Sequence, residues 1–528
     1  MSTFDWLEDY LARLKAEHVT VLERDAHGLA PAQRLVLDSE DWGKVAALAA
    51  ELGCRWAGLW GDPRDAGAAV RACLERGGDY LILETEVPFS HPILASHAPS
   101  FPGAERMERH LQDLLGIALL DHPDSRRWTR HQAWSEGDFP LRPDFPAAGR
   151  SPKRTPADAD YPFVPVQGSG VYEIPVGPVH ASIIEPAHFR FQAVGEEILR
   201  LEARLGYTHK GTEKIAVGRD PGSLARLAGR VSGDSTVAHT WAACMAMERA
   251  SGCATPARAV YLRALLAERE RIANHLGDIG AVCNDVGFAF ANVQCARLRE
   301  DWQRRSREIF GHRLLMDVVI PGGVACDLTE RGAAILRADH QALRRALEPL
   351  FAIIDDYPSL EDRLLGAGLL SADDARALGC TGYMGKASGQ EFDVRGACPY
   401  PPYDACPMTV PVRSEGDIAA RMRVRMHEVR MTLDWLDGLL EALPAGDIAV
   451  ALPAPAPNAE GLGMVEGWRG EILTYVRFDE AGRIGRFFPR DPSWFTWPAL
   501  ERLIHDNIVP DFPVCNKSVN ASYSGHDL

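Results

Sequence analysis

Hydrophobic and polar positions in the first part of the chain follow helical and strand-like periods in alternation. Helical patterns cover residues 6–17 and 42–52, and short apolar runs typical of strands lie at residues 19–22, 56–59 and 80–85. Helices and strands that alternate over a segment of this size predict a small α+β domain, which we place at residues 1–146.

A stretch rich in proline, glycine, serine and charged residues follows at residues 147–170. This composition is typical of a linker, because it favours turns and exposes the backbone to water. The chain beyond it, residues 171–528, is therefore predicted to form a second, separate unit.

The second unit is predicted to be mainly helical with short strands. Apolar residues recur on one face of residues 256–283 and at intervals of four and three in residues 418–443, which favours long packed helices. Residues 471–477 show a strand pattern. No run approaches the roughly 18 apolar residues that a membrane-spanning helix needs, so no transmembrane helix is predicted. Residues 1–11 do not resemble a signal peptide, so we expect a soluble, intracellular protein unless a partner tethers it.

Charge and cysteine usage narrow the function classes. The formal net charge of −16 argues against nucleic acid as a partner, since phosphate binding needs a basic surface. None of the 11 cysteines forms a C-x-x-C pair, which favours buried reduced thiols over disulfides or a thiolate metal site. No phosphate-cradling or dinucleotide motif is present, so this chain is not expected to bind a nucleotide.

Four polar clusters remain as candidates for chemistry, and each also has a purely structural interpretation. Residues 207–214 could form a solvated connector, and residues 230–235 with His239 could form a helix cap. The stripe formed by Glu268, Arg271, His275 and Asp278 could be a wet helix face, and residues 516–528 could be a frayed chain end.

The order of these clusters resembles that of a known family. Residues 104–117 (AERMERHLQDLLGI), 122–127 (HPDSRR) and 140–146 (PLRPDFP) are similar to the ordered motifs of the 30-kDa subunit of respiratory complex I. Residues 209–214 (HKGTEK), 270–278 (ERIANHLGD), 310–313 (FGHR), 321–324 (PGGV) and 416–425 (GDIAARMRVR) are similar to motifs of its 49-kDa subunit and of nickel–iron hydrogenase large subunits. The chain thus resembles the fused subunit of formate-hydrogenlyase-type, complex-I-related hydrogenases.

The departures from the family pattern concern the metal. Hydrogenases of this kind hold nickel with the cysteines of R-V-C-G-I-C and D-P-C-x-x-C. Here the corresponding segments are residues 230–235 (RVSGDS) and 520–525 (NASYSG), so the ligand positions carry Ser232, Ser235, Ser522 and Gly525. Hydroxyl groups cannot replace four thiolates on a soft metal, which argues against nickel and hydrogen activation.

The quinone site of complex I is also incomplete. In the family a histidine on a strand-hairpin loop pairs with a tyrosine, and the resemblance offers His180, or His188, for the first partner. Arg230 stands at the tyrosine position. An arginine can still donate hydrogen bonds to a carbonyl or a carboxylate, so a quinone or another polar ligand stays open.

The resemblance implies a subunit of a membrane-associated oxidoreductase, peripheral on the cytoplasmic face of the cell membrane. Its implied partners are a small subunit with an iron–sulfur cluster and antiporter-like membrane subunits. The former nickel–iron cavity is expected to be metal-free. It would be lined by the degenerate positions Ser232, Ser235 and Ser522 together with Glu213, Arg230, His239 and Asp527.

Within that cavity, Glu213 and His239 are the predicted catalytic residues, because burial can tune the pKa of a carboxyl group such as that of Glu213 toward neutral. His180, His188, Arg230 and Asp527 are the predicted ligand-binding residues. Arg230, Glu213 and His180 are expected to converge on an open cavity if the subunit has a redox role. The alternative is a catalytically silent scaffold, for which the same side chains would be salt-bridged to each other and no void would remain.

Overall fold

The computed structural model describes residues 5–150, 161–181 and 184–528, so residues 151–160 of the predicted linker lie outside the described residues. In the N-terminal part the predicted helices and strands are confirmed, most of the strands being longer than their apolar runs. The helices are α1 (Asp5–Ala16), α2 (Trp42–Glu51) and α3 (Glu105–Leu115), and the strands are β1 (Val21–Leu29), β2 (Ala32–Leu37), β3 (Arg55–Pro63), β4 (Gly67–Arg76), β5 (Asp79–Pro88), β6 (Ile93–Ala95) and β7 (Ala118–Leu120).

Strands β1 to β5 form one mixed sheet in the order β1-β2-β5-β4-β3, in which only β2 and β5 are parallel. Strands β3, β4 and β5 are buried along almost their whole length. Leu111 and Leu115 of α3 lie against Gly61 of β3, where an added Cβ would fall within 3 Å of either side chain. A sheet buried on both faces needs a second covering layer, and the C-terminal part supplies it.

The C-terminal part combines a helical bundle with short sheets, as predicted. Its elements are β8 (Val171–Val176), β9 (His188–Val194), β10 (Glu197–Arg204), α4 (Thr212–Ala216), α5 (Pro221–Ala228), α6 (Thr236–Ser251), α7 (Ala257–Asp285), α8 (Ala289–Phe310), β11 (Val319–Ile320), β12 (Gly323–Val324), α9 (Glu330–Asp355), α10 (Pro358–Leu364), α11 (Ala372–Ala377), α12 (Gly382–Ala387), α13 (Val394–Ala397), α14 (Ile418–Glu441), β13 (Glu460–Gly467), β14 (Gly470–Phe478), β15 (Ile484–Arg490), α15 (Ser493–Leu503), α16 (Phe512–Val519) and α17 (Tyr523–Asp527). Thr329 and Asp417 cap the starts of α9 and α14 with their side-chain oxygens.

Helix α7 lies at the centre of the bundle and packs against α6, α8, α14 and α16. Its polar stripe is buried: Glu268 and His275 are 0% exposed. The interpretation of this stripe as a wet helix face is therefore wrong, because neighbouring elements pack against this face of α7 and supply ionic partners for its charges.

The two parts share an ionic interface between sheets. Arg55 on β3 makes two hydrogen bonds to the carboxylate of Glu471 on β14, at 2.9 and 3.1 Å. Asp62 on β3 accepts hydrogen bonds at 2.7 and 2.9 Å from Arg477 of β14. These groups are mostly buried, so the N-terminal sheet and the sheet β13-β14-β15 are held in one register.

All 11 cysteines are free thiols, seven of them buried, as the sequence predicts. Across the described residues, none of the helices combines the length and apolar character needed to cross a membrane.

Candidate functional site

Two of the four degenerate ligand positions meet at the ends of two helices. Ser232 lies in the loop that leads into α6, and Ser522 caps α17 by accepting a hydrogen bond from the Gly525 amide at 2.9 Å. The Oγ atoms of Ser232 and Ser522 are 2.8 Å apart, and both residues are buried. Segments 290 residues apart in sequence are thus joined by a direct hydrogen bond.

An ion pair stands beside these serines. Both oxygens of Asp234 accept hydrogen bonds at 2.7 Å from Arg469, which extends from the β13–β14 turn. Ser232 donates to the same carboxylate at 2.7 Å, and Arg469 reaches Ser235 at 3.3 Å. Burial would raise the pKa of Asp234, but the charge of Arg469 outweighs it and lowers the pKa. Asp234 therefore stays ionised.

The place of the fourth ligand is taken by another carboxylate. A Cβ added to Gly525 would lie 2.7 Å from Cγ of Asp491 and 3.0 Å from Oγ of Ser522. Asp491 forms a buried hydrogen bond with His239, its carboxylate oxygen lying 2.8 Å from the Nε2 atom. A side chain at position 525 therefore has no room here. The predicted catalytic residue His239 acts as the hydrogen-bond partner of Asp491.

These residues do not fit a nickel–iron group. Three ligand positions offer hydroxyls, the fourth offers no side chain, and Asp491 fills the space beside it. Among the residues that the structure describes, no cluster of three or more His, Cys, Asp or Glu side chains has a metal-holding arrangement. The donor set and the occupied space both speak against this metal group.

A polar cavity of about 450 Å³ opens next to Ser232 and Ser522. Charged and amide side chains dominate its wall, among them Glu185, Asp234, Asn274, Asp278, Arg299, Arg469, Asn516, Lys517 and Asn520. Asp278 is already paired with Arg425 at 3.1 Å and with Asn520 at 2.7 Å. Within the part of the chain that the structure describes, Lys517 and Arg299 retain donors available for an incoming polar group.

Glu213 lies outside this cavity, at the junction of the two parts of the chain. Its carboxylate is 3% exposed, binds Nε2 of His110 from α3 at 2.7 Å and forms an ion pair with Arg486 of β15. Burial raises the pKa of Glu213, but Arg486 and the hydrogen bond with His110 outweigh it and lower the pKa to about 2. The prediction of a pKa tuned toward neutral is wrong for this residue, because its partners hold it ionised.

Arg230, His180 and Glu213 do not converge. Arg230 is exposed and makes a bidentate pair with Asp317 at 2.6 and 2.8 Å. His180 and His188 form hydrogen bonds to backbone carbonyls within their own hairpin, to Ala187 at 2.8 Å and Gly177 at 3.1 Å. Within the described part of this loop, Ile184 and Glu185 line the cavity, and Glu185 accepts a hydrogen bond from the Ser524 amide at 3.2 Å.

Asp527 ties the last residues of the sequence to the loop before α4. Its carboxylate accepts hydrogen bonds from the amides of Gly206 and Thr208, both at 2.9 Å, and contacts His526 at 2.9 Å. Burial raises the pKa of Asp527, but His526 and Thr208 outweigh it and lower the pKa. The interpretation of residues 516–528 as tucked in is confirmed, and Asp527 acts here as an anchor.

Sequence reasoning missed Arg469, Asp491 and Glu185 as parts of this site, whereas Lys517 lay within the candidate segment 516–528. Arg469 and Asp491 lie more than 200 residues from Asp234 and His239, with which they pair. Nothing in their local sequence signals that pairing. Glu185 lies between His180 and His188, and only that position between two predicted ligand-binding residues could have marked it.

Comparison with known families agrees with this architecture. The family "Respiratory-chain NADH dehydrogenase, 30 Kd subunit" matches residues 59–151, and "Respiratory-chain NADH dehydrogenase, 49 Kd subunit" matches residues 285–456. Between them, "Nickel-dependent hydrogenase" matches residues 210–277, the segment that contains Ser232 and Ser235.

Among curated proteins, formate hydrogenlyase subunit 5 of Escherichia coli is 31% identical over 450 residues, covering 85% of this chain and 79% of the relative. The fused C/D subunit of the NADH-quinone oxidoreductase of Phocaeicola vulgatus is 30% identical, covering 73% of this chain and 77% of the relative. The chain belongs to the family of fused complex-I-type and nickel–iron-hydrogenase-type large subunits.

A solved structure shows the same fold. It is a chain of the membrane-bound sulfane sulfur reductase, an archaeal respiratory membrane complex, and it aligns with a TM-score of 0.64 and 26% identity. The alignment covers 68% of this chain and 99% of that chain.

Proposed function

We propose that this chain is the peripheral large subunit of a membrane-associated, complex-I-related oxidoreductase complex, and that its former metal position serves as a metal-free cavity for a polar ligand. The observation that supports the ligand site most directly is the cavity of about 450 Å³ with Ser232 and Ser522 in its wall. A cavity with hydrogen-bond donors in its wall, beside the degenerate ligand positions, distinguishes this subunit from one in which side chains fill the space of the lost metal.

A quinone headgroup is the ligand class that we propose for the cavity. Its two carbonyl oxygens accept hydrogen bonds, and Lys517 and Arg299 are cavity donors that can reach toward such oxygens. His180, His188 and Arg230 are not part of this proposal, because each has its partners elsewhere. Coupling to ion translocation would then pass through partner subunits.

Membership of the family supports the proposed assembly. Residues 1–146 and 171–528 correspond to the 30-kDa-like and 49-kDa-like units joined by the linker 147–170. A small subunit with an iron–sulfur cluster and antiporter-like membrane subunits are the proposed partners, with this chain on the cytoplasmic face of the cell membrane. Relatives such as the "Membrane-bound hydrogenase subunit alpha" of Pyrococcus furiosus support this setting.

A catalytically silent scaffold is the second candidate, and a specific observation favours it. Glu213 and Arg230 are both fixed in ion pairs, with Arg486 and Asp317 respectively. Residues committed in this way cannot take part in proton or ligand exchange without losing those pairs. In this alternative the cavity holds only water.

The two candidates separate when the intact complex is purified through this chain and assayed for metal content, binding of a short-chain quinone and quinone reduction. A variant Ala281→Phe fills the cavity from α7, and Arg230→Ala serves as the matched control outside it. We expect iron without nickel, quinone binding weakened about tenfold or more by A281F, and no change in R230A. Normal iron content with no quinone binding or reduction in the wild type would leave only the scaffold.

A further inference from the structure

A second group of buried charges lies inside the bundle, away from the serines. It joins α7, α12, α14, the α13 segment and the end of β13. Each of its members is at most 3% exposed. The members are Glu268, Arg271, His275, Lys386, Asp393, Arg395, Glu428 and Glu466, which we call the α7 network.

Hydrogen bonds connect the α7 network from end to end. Lys386 donates to Asp393 at 2.6 Å and to Glu428 at 2.7 Å. The other oxygen of Glu428 is 2.6 Å from Nε2 of His275. On the far side Arg395 bridges Asp393 and Glu268, which also accepts from Arg271 at 2.8 Å. Each of these three carboxylates therefore accepts a hydrogen bond from at least one cation.

Glu466 differs from the other carboxylates. Within the described parts of the chain, its Oε2 atom accepts only the Val394 amide, at 3.2 Å, and its Oε1 atom is buried without a hydrogen-bond partner. The nearest cation is Lys386, whose Nζ lies 3.8 Å from Oε1, beyond hydrogen-bond reach, and already serves two other carboxylates. Glu471, opposite Glu466 in the β13–β14 register, is itself paired with Arg55 and Arg490.

The charges in the network do not balance when every acid is ionised. Three cations, Lys386, Arg271 and Arg395, face four carboxylates within a region closed to water. An uncompensated buried charge costs several kcal/mol, and a carboxyl group avoids this cost by binding a proton. The acid with the fewest partners is the one expected to do so.

We propose that Glu466 is a proton-binding site, and that the α7 network holds one exchangeable proton there. Protonated Oε1 becomes a donor; release of that proton leaves the network with one net negative charge. This goes beyond the proposed function, because it requires no ligand in the cavity. His275, at the other end, adjoins Asn274 on α7, whose side chain lines the cavity.

The electrostatic setting supports this assignment. Burial raises the pKa of Glu466 to about 7, and Asp393 adds to the rise, while Lys386, Arg395 and Arg271 oppose it. Burial lowers the pKa of His275, in spite of its hydrogen bond to Glu428, so the histidine is neutral. The folded-state pKa of Glu466 lies above its ordinary value of 4.5, so the stability contributed by its proton is lost as the pH rises from that value through about 7.

Infrared difference spectroscopy on the full-length chain tests the proposal. The carboxylic C=O stretch of a protonated buried acid is resolved from ionised carboxylates and shifts in D₂O. Glu466→Gln keeps the shape of the protonated group, and Glu248→Gln is the matched control, since Glu248 is buried and paired with Arg263 at 2.5 and 2.9 Å.

Below about pH 7 we expect the wild-type minus E466Q spectrum to contain one carboxylic band, and the wild-type minus E248Q spectrum to contain none. Absence of that band with a folded E466Q variant would overturn the proposal. If E466Q does not fold, the wild-type minus Glu466→Asp spectrum is followed instead, because Glu108 and Glu270, whose pKa values burial raises to about 7 and about 8, would also contribute to the spectrum of the wild type alone. A carboxylic band must then disappear between about pH 5.5 and about pH 8.5, and a pH-independent spectrum overturns the proposal.

Discussion

The degenerate metal centre and the α7 network are two buried polar regions of the same bundle, and their buried charges are compensated in different ways. At the degenerate centre Asp234 pairs with Arg469 and Asp491 with His239, so each carboxylate has one basic partner, and a cavity adjoins Asp234 and Arg469. In the α7 network several charges share partners and, as far as the structure describes the chain, one carboxylate is left over in a closed interior.

The difference teaches where change is tolerated. Water in a neighbouring cavity can solvate a charge that loses its partner, so substitutions that remove a metal can accumulate there. A closed network has no such relief, because breaking one pair leaves an uncompensated ion in a low-dielectric interior. The framework of the family can thus persist around a centre that has lost its ligands.

Matched removal of a cation from each region should give the largest effect. Lys386→Met leaves Asp393 and Glu428 buried and is expected to lower the free energy of unfolding by about 3–5 kcal/mol. Arg469→Met should lower it by only about 1–3 kcal/mol, because the Asp234 side chain is 36% exposed. Urea unfolding of the full-length chain measures both, with Lys386→Arg as the charge-preserving control. Equal losses would remove the distinction between the two regions.

A smaller change tests whether the degenerate centre has truly closed at its fourth ligand position. Gly525→Ala places a Cβ 2.7 Å from Asp491 Cγ, so the carboxylate must move and its contact with His239 weakens. We expect a loss of about 1–3 kcal/mol, measured by thermal unfolding. The control is Gly438→Ala in α14, where no atom lies within 4 Å of the added Cβ, and this variant should be neutral or stabilising. Gly53→Ala would not serve as a control, because the backbone φ of Gly53 is +72°. A neutral G525A would show that this position still has room.

The smallest effect is expected for Arg230, which lies outside both regions. Arg230→Ala removes an exposed pair with Asp317 and should change the free energy of unfolding by ~0–1 kcal/mol. Its effect on quinone binding by the complex should be nil, since Arg230 does not line the cavity. A marked loss of binding in R230A would place the ligand site at Arg230 instead.

Much of the architecture was predictable because it depends on local periodicity. The helical pattern at residues 256–283 became α7, and that at residues 418–443 became α14. The ordered motifs of the family predicted the fusion of the two parts, and the four substituted ligand positions could be read directly from residues 230–235 and 520–525. These features can be recognised in the sequence because each depends only on residues that are close together along the chain.

Other outcomes depended on partners that are distant in sequence. The sequence of the polar stripe of α7 is equally compatible with a solvent-exposed helix face. Only the fold places Lys386, Arg395 and Glu428 around this stripe. Glu213 carried no sign that His110 and Arg486 would hold it ionised, with the opposite shift in pKa from the one burial alone predicts.

The sequence by itself thus determined the helices, the family and the loss of the thiolate ligands, since residue identity and spacing are enough to specify them. Only the tertiary structure decided which charges are paired, where a cavity remains and which carboxylate, among the described residues, accepts no hydrogen bond from a cation. Those properties depend on distances between segments that are hundreds of residues apart, and on whether water reaches the groups that meet there.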